Sequence, residues 1–198
     1  MKVSIILGHP RPGSFNHAIA ETAKTALEKN GHTVLLHDLH VEGFDPLLPP
    51  GELSKDAALP PEIQRHCDEI KEADGIVVVH PNWWGQPPAI LKGWLDRVLR
   101  MGIAYSFQAN EKGEVGPVGH LKAKKAMVFT TSNTPRDKEI ELYNDPLEGL
   151  WGKCVFPFCG VKDFERRNFE PVIMSTPEQR AGWLAEVGER VSKAWGQA

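Results

Sequence analysis

The run GIVVVH, Gly75–His80, constrains the fold more than any other stretch of the chain. Its apolar, largely β-branched residues follow one another without the alternation of a strand that faces water on one side, so a strand here must be covered on both faces. It therefore belongs at the centre of a sheet with helices above and below. The flanking sequence supplies both. Pro61–Ala73 and Ala89–Met101 place apolar residues at helical spacing, while Lys2–Leu7, Thr33–His37 and Lys125–Thr131 repeat the short strand pattern. Asn16–Lys29 reads as a helix stopped by Asn30-Gly31, and the strand at Thr33 follows at once, which is how parallel units are joined.

Further along, Glu139–Gly152 reads as a helix, Val155–Phe169 holds a fifth strand around Val161–Phe164, and Pro177–Trp195 is a closing amphipathic helix with an acidic first turn. Residues 40–61 carry Pro46, Pro49, Pro50, Pro60 and Pro61, which break regular structure and imply a long excursion, suited to a lid or a subunit contact. Gln108–Leu121, rich in Gly and charge, reads as a loop. Alternating strands and helices predict a single α/β domain over residues 1–198: a three-layer, doubly wound, five-stranded parallel sheet in the order 2-1-3-4-5. In such a sheet ligands bind beyond the carboxyl ends of the strands, where the winding reverses.

Charge and cysteine usage remove several classes of function. With 23 Lys and Arg against 26 Asp and Glu, the net charge is −3, and no basic stripe exists to neutralise a phosphate backbone, so a nucleic-acid partner is not expected. Cys67, Cys154 and Cys159 are odd in number and show neither CxxC pairs nor a Cys/His zinc spacing, which favours a reduced, cytoplasmic setting and predicts no metal. The opening MKVSIILGHP lacks the apolar core of a signal peptide, and no stretch approaches the roughly 20 apolar residues of a membrane span.

Three unusual loops follow the strands predicted to form the sheet's centre. GHPRPGSFNHA, Gly8–Ala18, joins a strand to a helix and offers Ser14, Phe15 and Asn16 at a helix N-terminus, where backbone N–H groups and the dipole favour an anion. The same residues also serve as an ordinary cap. The loop is neither GxGxxG nor GxxxxGK[ST], so a dinucleotide fingerprint or a P-loop is disfavoured. HPNWWGQPP, His80–Pro88, sets Trp83 and Trp84 at the end of the central strand; the pair is either core or interface aromatics, or a flat platform for a planar heterocycle. FTTSNTP, Phe129–Pro135, offers hydroxyls and amides that suit either a turn or the polar edge of a bound ring. Together the loops outline a phosphate site, an aromatic platform and a polar edge, which is the outline of a flavin nucleotide.

These residues are also familiar as a set. PAILKGWLDR at Pro88–Arg97, followed by AYSF at Ala104–Phe107, with GHPRPGSFNHA and FTTSNTP at their expected places, resembles the flavodoxin-like NAD(P)H:quinone oxidoreductases over nearly the whole chain. The resemblance implies that His9, Ser14, Phe15, Asn16 and Ala18 hold the flavin phosphates, that Pro81, Asn82, Trp83 and Trp84 run along the isoalloxazine, and that Thr131, Ser132, Asn133 and Thr134 reach its pyrimidine edge. Here the loop departs from the Thr-Thr-Gly-Gly pattern of the mammalian enzymes. Tyr105 and Phe107 match aromatic positions that roof the substrate site across a homodimer interface, and Tyr143 is the tyrosine available to balance charge on the reduced ring. STPEQR, Ser175–Arg180, resembles the start of the last helix in FAD-binding members and brings Arg180 towards the adenosine, so FAD is favoured over FMN. The implied reaction is a two-step exchange, from NAD(P)H to the flavin and from the flavin to a quinone or similar acceptor at the same face.

Three rival readings share part of this pattern. A redox-sensing flavoprotein subunit of a potassium efflux transporter would use the same site and add a transporter partner. A flavodoxin-type electron carrier would need a T/S-x-T-G-x-T loop and a strongly acidic surface, and neither is present. A serine hydrolase built on Ser14 would need a late Asp-x-x-His, whereas the last histidine is His120.

Overall fold

A computed structural model describes residues 1–197. Strands β1 (Lys2–Leu7), β2 (Thr33–Asp38), β3 (Gly75–Pro81), β6 (Lys125–Thr131) and β7 (Asp163–Phe169) form one parallel sheet, while β4 (Tyr105–Ala109) and β5 (Val115–Gly119) form a separate antiparallel hairpin. The sheet order is β2-β1-β3-β6-β7, the predicted 2-1-3-4-5 once its five members are counted in sequence. All seven residues of β3 are buried, as its continuous apolar run requires.

Side-chain alternation divides the interior into two cores. Val3, Ile5 and Leu7 of β1, Val77 and Val79 of β3, and Met127 and Phe129 of β6 pack against α1 (Phe15–Lys29) and α7 (Pro177–Ala194). Ile6, Ile76, Val78, Ala126 and Val128 point the other way. They meet α2 (Pro61–Glu72), α3 (Ala89–Val98) and the helical segment built from α5 (Pro146–Glu148), a π-helical turn over Gly149–Val155, and α6 (Phe156–Phe158). Each fully buried aliphatic side chain contributes about 1.5–3 kcal/mol. Cys67 and Cys159 are buried and all three cysteines are unpaired; burial pushes both buried thiols up to about 11, which leaves them unreactive.

Several boundaries differ from the sequence expectation, each for a local reason. The expected loop Gln108–Leu121 contains β5 and the end of β4. Its Gly and charge gather at the hairpin turn, where Asn110 Oδ1 accepts from Lys112 N (2.9 Å) and Glu114 N (3.0 Å), and Gly113 has φ +80°. The expected helix Glu139–Gly152 is instead broken. α4 (Arg136–Tyr143) stops at Asn144 and Asp145, both left-handed (φ +55° and +43°), and Pro146 restarts a helix that it could not have continued. The fifth strand starts two residues later than its apolar signal and ends five later, at Asp163–Phe169, because its charges are paired: Arg166 with Asp145, Arg167 with Glu186 (2.9 Å), and Glu165 with Arg190. α3 ends at Val98 rather than Met101, and the last helix at Ala194 with Trp195 as its cap.

The proline-rich excursion after β2 is irregular apart from a short 3₁₀ turn, Pro50–Glu52, yet α3 holds it in place. Buried Arg97 grips Glu52 through two bonds (2.5 and 3.0 Å) and donates to Asp45 O at 2.6 Å. Only glycine fits at Gly93, where a Cβ would lie 2.2 Å from Pro46 O. Residues 45–52 are therefore fixed against α3, which fits a structural or interface role better than a lid.

Candidate active site

The carboxyl ends of β1, β3, β6 and β7 are tied together by backbone bonds between their loops. Gly8 N donates to Val79 O (3.0 Å), Asn82 N to Thr131 O (2.7 Å), Ser132 N to Phe169 O (3.1 Å) and Val172 N to Ser132 O (2.9 Å). These bonds fix a crevice of two joined compartments. One, about 190 Å³, is walled by His9, Ser14, Phe15, Asn16, Trp83 and Thr131. The other, about 500 Å³, is walled by Trp84, Gly85, Thr134, Glu139, Tyr143 and Pro146. Asn82, Ser132 and Asn133 line both.

The smaller compartment opens onto the N-terminus of α1, where unpartnered N–H groups make the local potential positive. Ser14 caps α1, accepting from His17 N at 3.4 Å, so the N–H groups of Phe15 and Asn16 remain without intrahelical partners at the positive end of the helix. Asn16 is buried and donates to Thr131 Oγ1 at 3.0 Å, which leaves its Oδ1 buried with no partner. His9 Nδ1 accepts from Arg11 N at 3.1 Å, and partial burial lowers the imidazole below its usual range. Ser14 Oγ also meets His17 Nδ1 (2.8 Å), and His17 Nε2 meets Asp38 Oδ2 (2.9 Å), a chain that orients the hydroxyl from within the helix's own first turn.

The larger compartment is built around a strained turn. Trp83 and Gln86 exchange two backbone bonds of 3.0 Å, with Trp84 (φ +57°) and Gly85 (φ +70°) at the corners. This is a tight turn with both central residues left-handed, a conformation that costs a bulky residue about 1–3 kcal/mol. Gly85 is required by position as well as by φ, since a Cβ there would lie 2.7 Å from Pro146 Cγ. Trp84 is 101% exposed, whereas Trp83 is 44% exposed and leans towards His9, with ring centroids 6.1 Å apart. Asn82 braces the turn: its Oδ1 accepts from Gly85 N (3.0 Å) and its Nδ2 donates to buried Glu139 Oε1 (3.0 Å).

Beneath this loop His80 is fully enclosed. Its Nδ1 donates to Pro81 O (2.8 Å) and its Nε2 accepts from Trp151 Nε1 (3.1 Å), which fixes one neutral tautomer. Burial pushes this imidazole down to about 4.

Most of the residues expected at the site converge here. His9, Ser14, Phe15, Asn16, Pro81, Asn82, Trp83, Trp84, Thr131, Ser132, Asn133, Thr134 and Tyr143 all line one compartment or the other. Four do not. Ala18 lies one turn into α1, half-buried, and Arg180 sits in the first turn of α7; neither lines the crevice. The feature that favoured FAD thus has no counterpart in the crevice wall. Tyr105 and Phe107 pack edge-on at 5.9 Å on the hairpin, away from the crevice of their own chain. Glu139 was missed by sequence reading because a glutamate on a polar helix carries no signal; only the fold reveals its burial against Asn82.

The family described as "Flavodoxin-like fold" matches residues 1–193. The chain is 39% identical over 184 residues to an "Uncharacterized NAD(P)H oxidoreductase" of Haemophilus influenzae, covering 91% of this chain and 89% of that one. It is 30% identical to "Ribosyldihydronicotinamide dehydrogenase [quinone]" of Rattus norvegicus, covering 98% and 92%. Among solved structures, Smu.1420 from Streptococcus mutans superimposes with a TM-score of 0.84 at 31% identity, covering 98% of this chain and 100% of that one. Fold and crevice define a flavodoxin-like oxidoreductase. The chain belongs to the flavodoxin-like family that includes the NAD(P)H:quinone oxidoreductases.

Proposed function

We propose that the crevice holds a flavin nucleotide and that the protein transfers two electrons from NAD(P)H to a quinone or a similar acceptor. One observation carries this reading: a tryptophan held fully exposed at φ +57° beside a polar crevice, a strained arrangement that packing of the chain alone does not repay. The donors fit the group. Free N–H groups at the α1 N-terminus suit a phosphate, the partnerless Asn16 Oδ1 suits a hydroxyl of the ribityl chain, and Ser132 to Thr134 offer donors and acceptors to a heterocycle edge. When bound, the flavin supplies the redox chemistry, alternately taking up and giving up an electron pair.

The protein's own contribution is position and charge. Trp84 presents an indole face, Asn82 and Glu139 hold its turn rigid, and Tyr143, exposed on the rim, offers a phenolic proton towards the same compartment. His80 stays neutral beneath the loop and adds no positive charge near a reduced ring. The Tyr105 and Phe107 face supports a homodimer. With Phe158 these rings form an apolar cluster at centroid distances of 4.8–6.1 Å, and Phe107 is 54% exposed. A second copy seated there would cover it and place Tyr105 and Phe107 over the partner's crevice.

The purified protein should be yellow, with NAD(P)H bleaching the colour and a quinone restoring it. Initial rates at several fixed quinone concentrations should give parallel double-reciprocal lines. A colourless protein whose spectrum is unchanged by added FMN or FAD would overturn the assignment, and intersecting lines would overturn the two-step exchange. Chromatography of the flavin released on heating identifies it as FMN or FAD, and light scattering should report a dimer that Phe107→Glu dissociates.

A further inference from the structure

Away from the crevice, the β2 edge and α2 bring four metal-ligating side chains together. His37 is on β2, Glu42 is on the turn that follows it, and His66 and Glu69 lie three residues apart on one face of α2. His37 Nδ1 is 2.9 Å from Glu42 Oε1, and His66 Nε2 is 3.1 Å from Glu42 Oε2. On its other side, His37 Nε2 is 2.7 Å from Glu69 Oε2, yet neither of these buried atoms has an aligned hydrogen-bond partner. The two rings are 4.3 Å apart and only 5% and 2% exposed, while the side chains of Glu42 and Glu69 are 25% and 27% exposed. Two buried imidazoles thus converge on one carboxylate that opens to solvent.

We propose that His37, His66 and Glu42 form a site for a divalent transition metal of the zinc class, with Glu69 as the carboxylate behind His37. One ligand atom from each of the three lies within 4.8 Å of the others, so small side-chain adjustments bring all of them to a common ion. Two imidazoles and a carboxylate are the donor set of zinc rather than of magnesium or calcium. The ion takes the place of the proton now between each ring and Glu42, and in a neutral ring that proton moves to the nitrogen on the far side. On His37 the proton moves from Nδ1 to Nε2, where Glu69, 2.7 Å away, would accept it once aligned and leave the Nδ1 lone pair to the metal. A fourth position, on the solvent side, belongs to water. Arg65, half exposed and 3.3 Å from Glu42 Oε2, must swing aside.

One contact opposes ligation and sharpens the test. Trp94 Nε1 donates to His66 Nδ1 at 3.3 Å, which keeps the His66 proton on Nε2. Binding through Nε2 moves the proton to Nδ1 and breaks the indole bond, so Trp94→Phe should bind the metal several-fold more tightly.

The purified protein, treated with a chelator and then freed of it, is titrated calorimetrically with zinc chloride, with magnesium chloride as the control. One zinc ion per chain should bind, with a rise in Tm, and magnesium should not. Glu42→Gln and His37→Asn should each weaken zinc binding by at least about tenfold, and Glu69→Gln by about 10–100-fold. Wild-type protein that takes up no zinc saturably, or variants that bind it as the wild type does, would overturn the site. Long-range ¹H–¹⁵N spectra of the wild-type histidine rings keep the test independent of variant folding: zinc must shift His37 and His66, and shifts confined to other histidines contradict the proposal.

Discussion

The two ends of β3 treat tryptophan in opposite ways. At the N-terminal end Gly75 makes room for Trp195, 3% exposed, whose indole lies where a Cβ would be 2.4 Å from Nε1. At the C-terminal end Trp84 is held in the open on a left-handed backbone. The same strand thus leads to a packed indole at one end and a solvent-exposed one at the other. Aromatic content alone therefore says nothing of function. What matters is whether the surroundings use the ring's surface, and at Trp84 they do not.

Substitutions separate the two ends. The largest effect should come from the packed end: Trp195→Ala should cost about 3–5 kcal/mol in urea unfolding while leaving flavin affinity unchanged below the transition. Equal loss of flavin binding would show the two ends to be coupled. Next, His80 should make stability depend on pH. Its folded imidazole is held down at about 4 against an ordinary 6.5, so the unfolded chain takes up the proton first. The contribution is complete above pH 6.5 and is lost as pH falls towards 4, by roughly 3 kcal/mol at its fullest. A urea midpoint that does not fall across that window would contradict a buried neutral His80. Asn16→Asp, which keeps the shape but adds a charge beside the anion site, should weaken flavin binding at least about tenfold, at roughly 1.4 kcal/mol per decade. The smallest effect reverses in sign: Trp84→Gly relieves the left-handed strain and should stabilise the flavin-free protein by about 1 kcal/mol while weakening flavin retention. A net loss of stability would make Trp84 a structural residue like Trp195.

The first four strands of the sheet and two of its loops were legible because their signals are local. Continuous β-branched runs require burial on both faces, and Ser14 before Phe15 is a helix start that the structure places within one residue. Elements governed by distant partners were not legible. β7 carries Glu165, Arg166 and Arg167, which lie outside the apolar centre Val161–Phe164 and join the strand only because Glu186, Arg190 and Asp145 are brought alongside. The break at Asn144-Asp145 needed a pair of left-handed non-glycine residues. At the site both tryptophans were expected along one ring, yet they line different compartments, Trp83 beside His9 in one and Trp84 in the one that Tyr143 also lines. The buried brace from Glu139 to Asn82 spans 57 residues, beyond the reach of any local pattern.

Trp84 is the residue whose exposure a bound flavin ring would explain. The most direct measurement is a titration of flavin-stripped protein with FMN and with FAD, read in the flavin absorption band, for the wild type, Trp84→Ala and Trp94→Ala. One flavin should bind per chain, and Trp84→Ala should weaken it far more than Trp94→Ala, whose ring lies in the core at 2% exposure. Equal weakening by the two variants, or no saturable binding by the wild type, would contradict it.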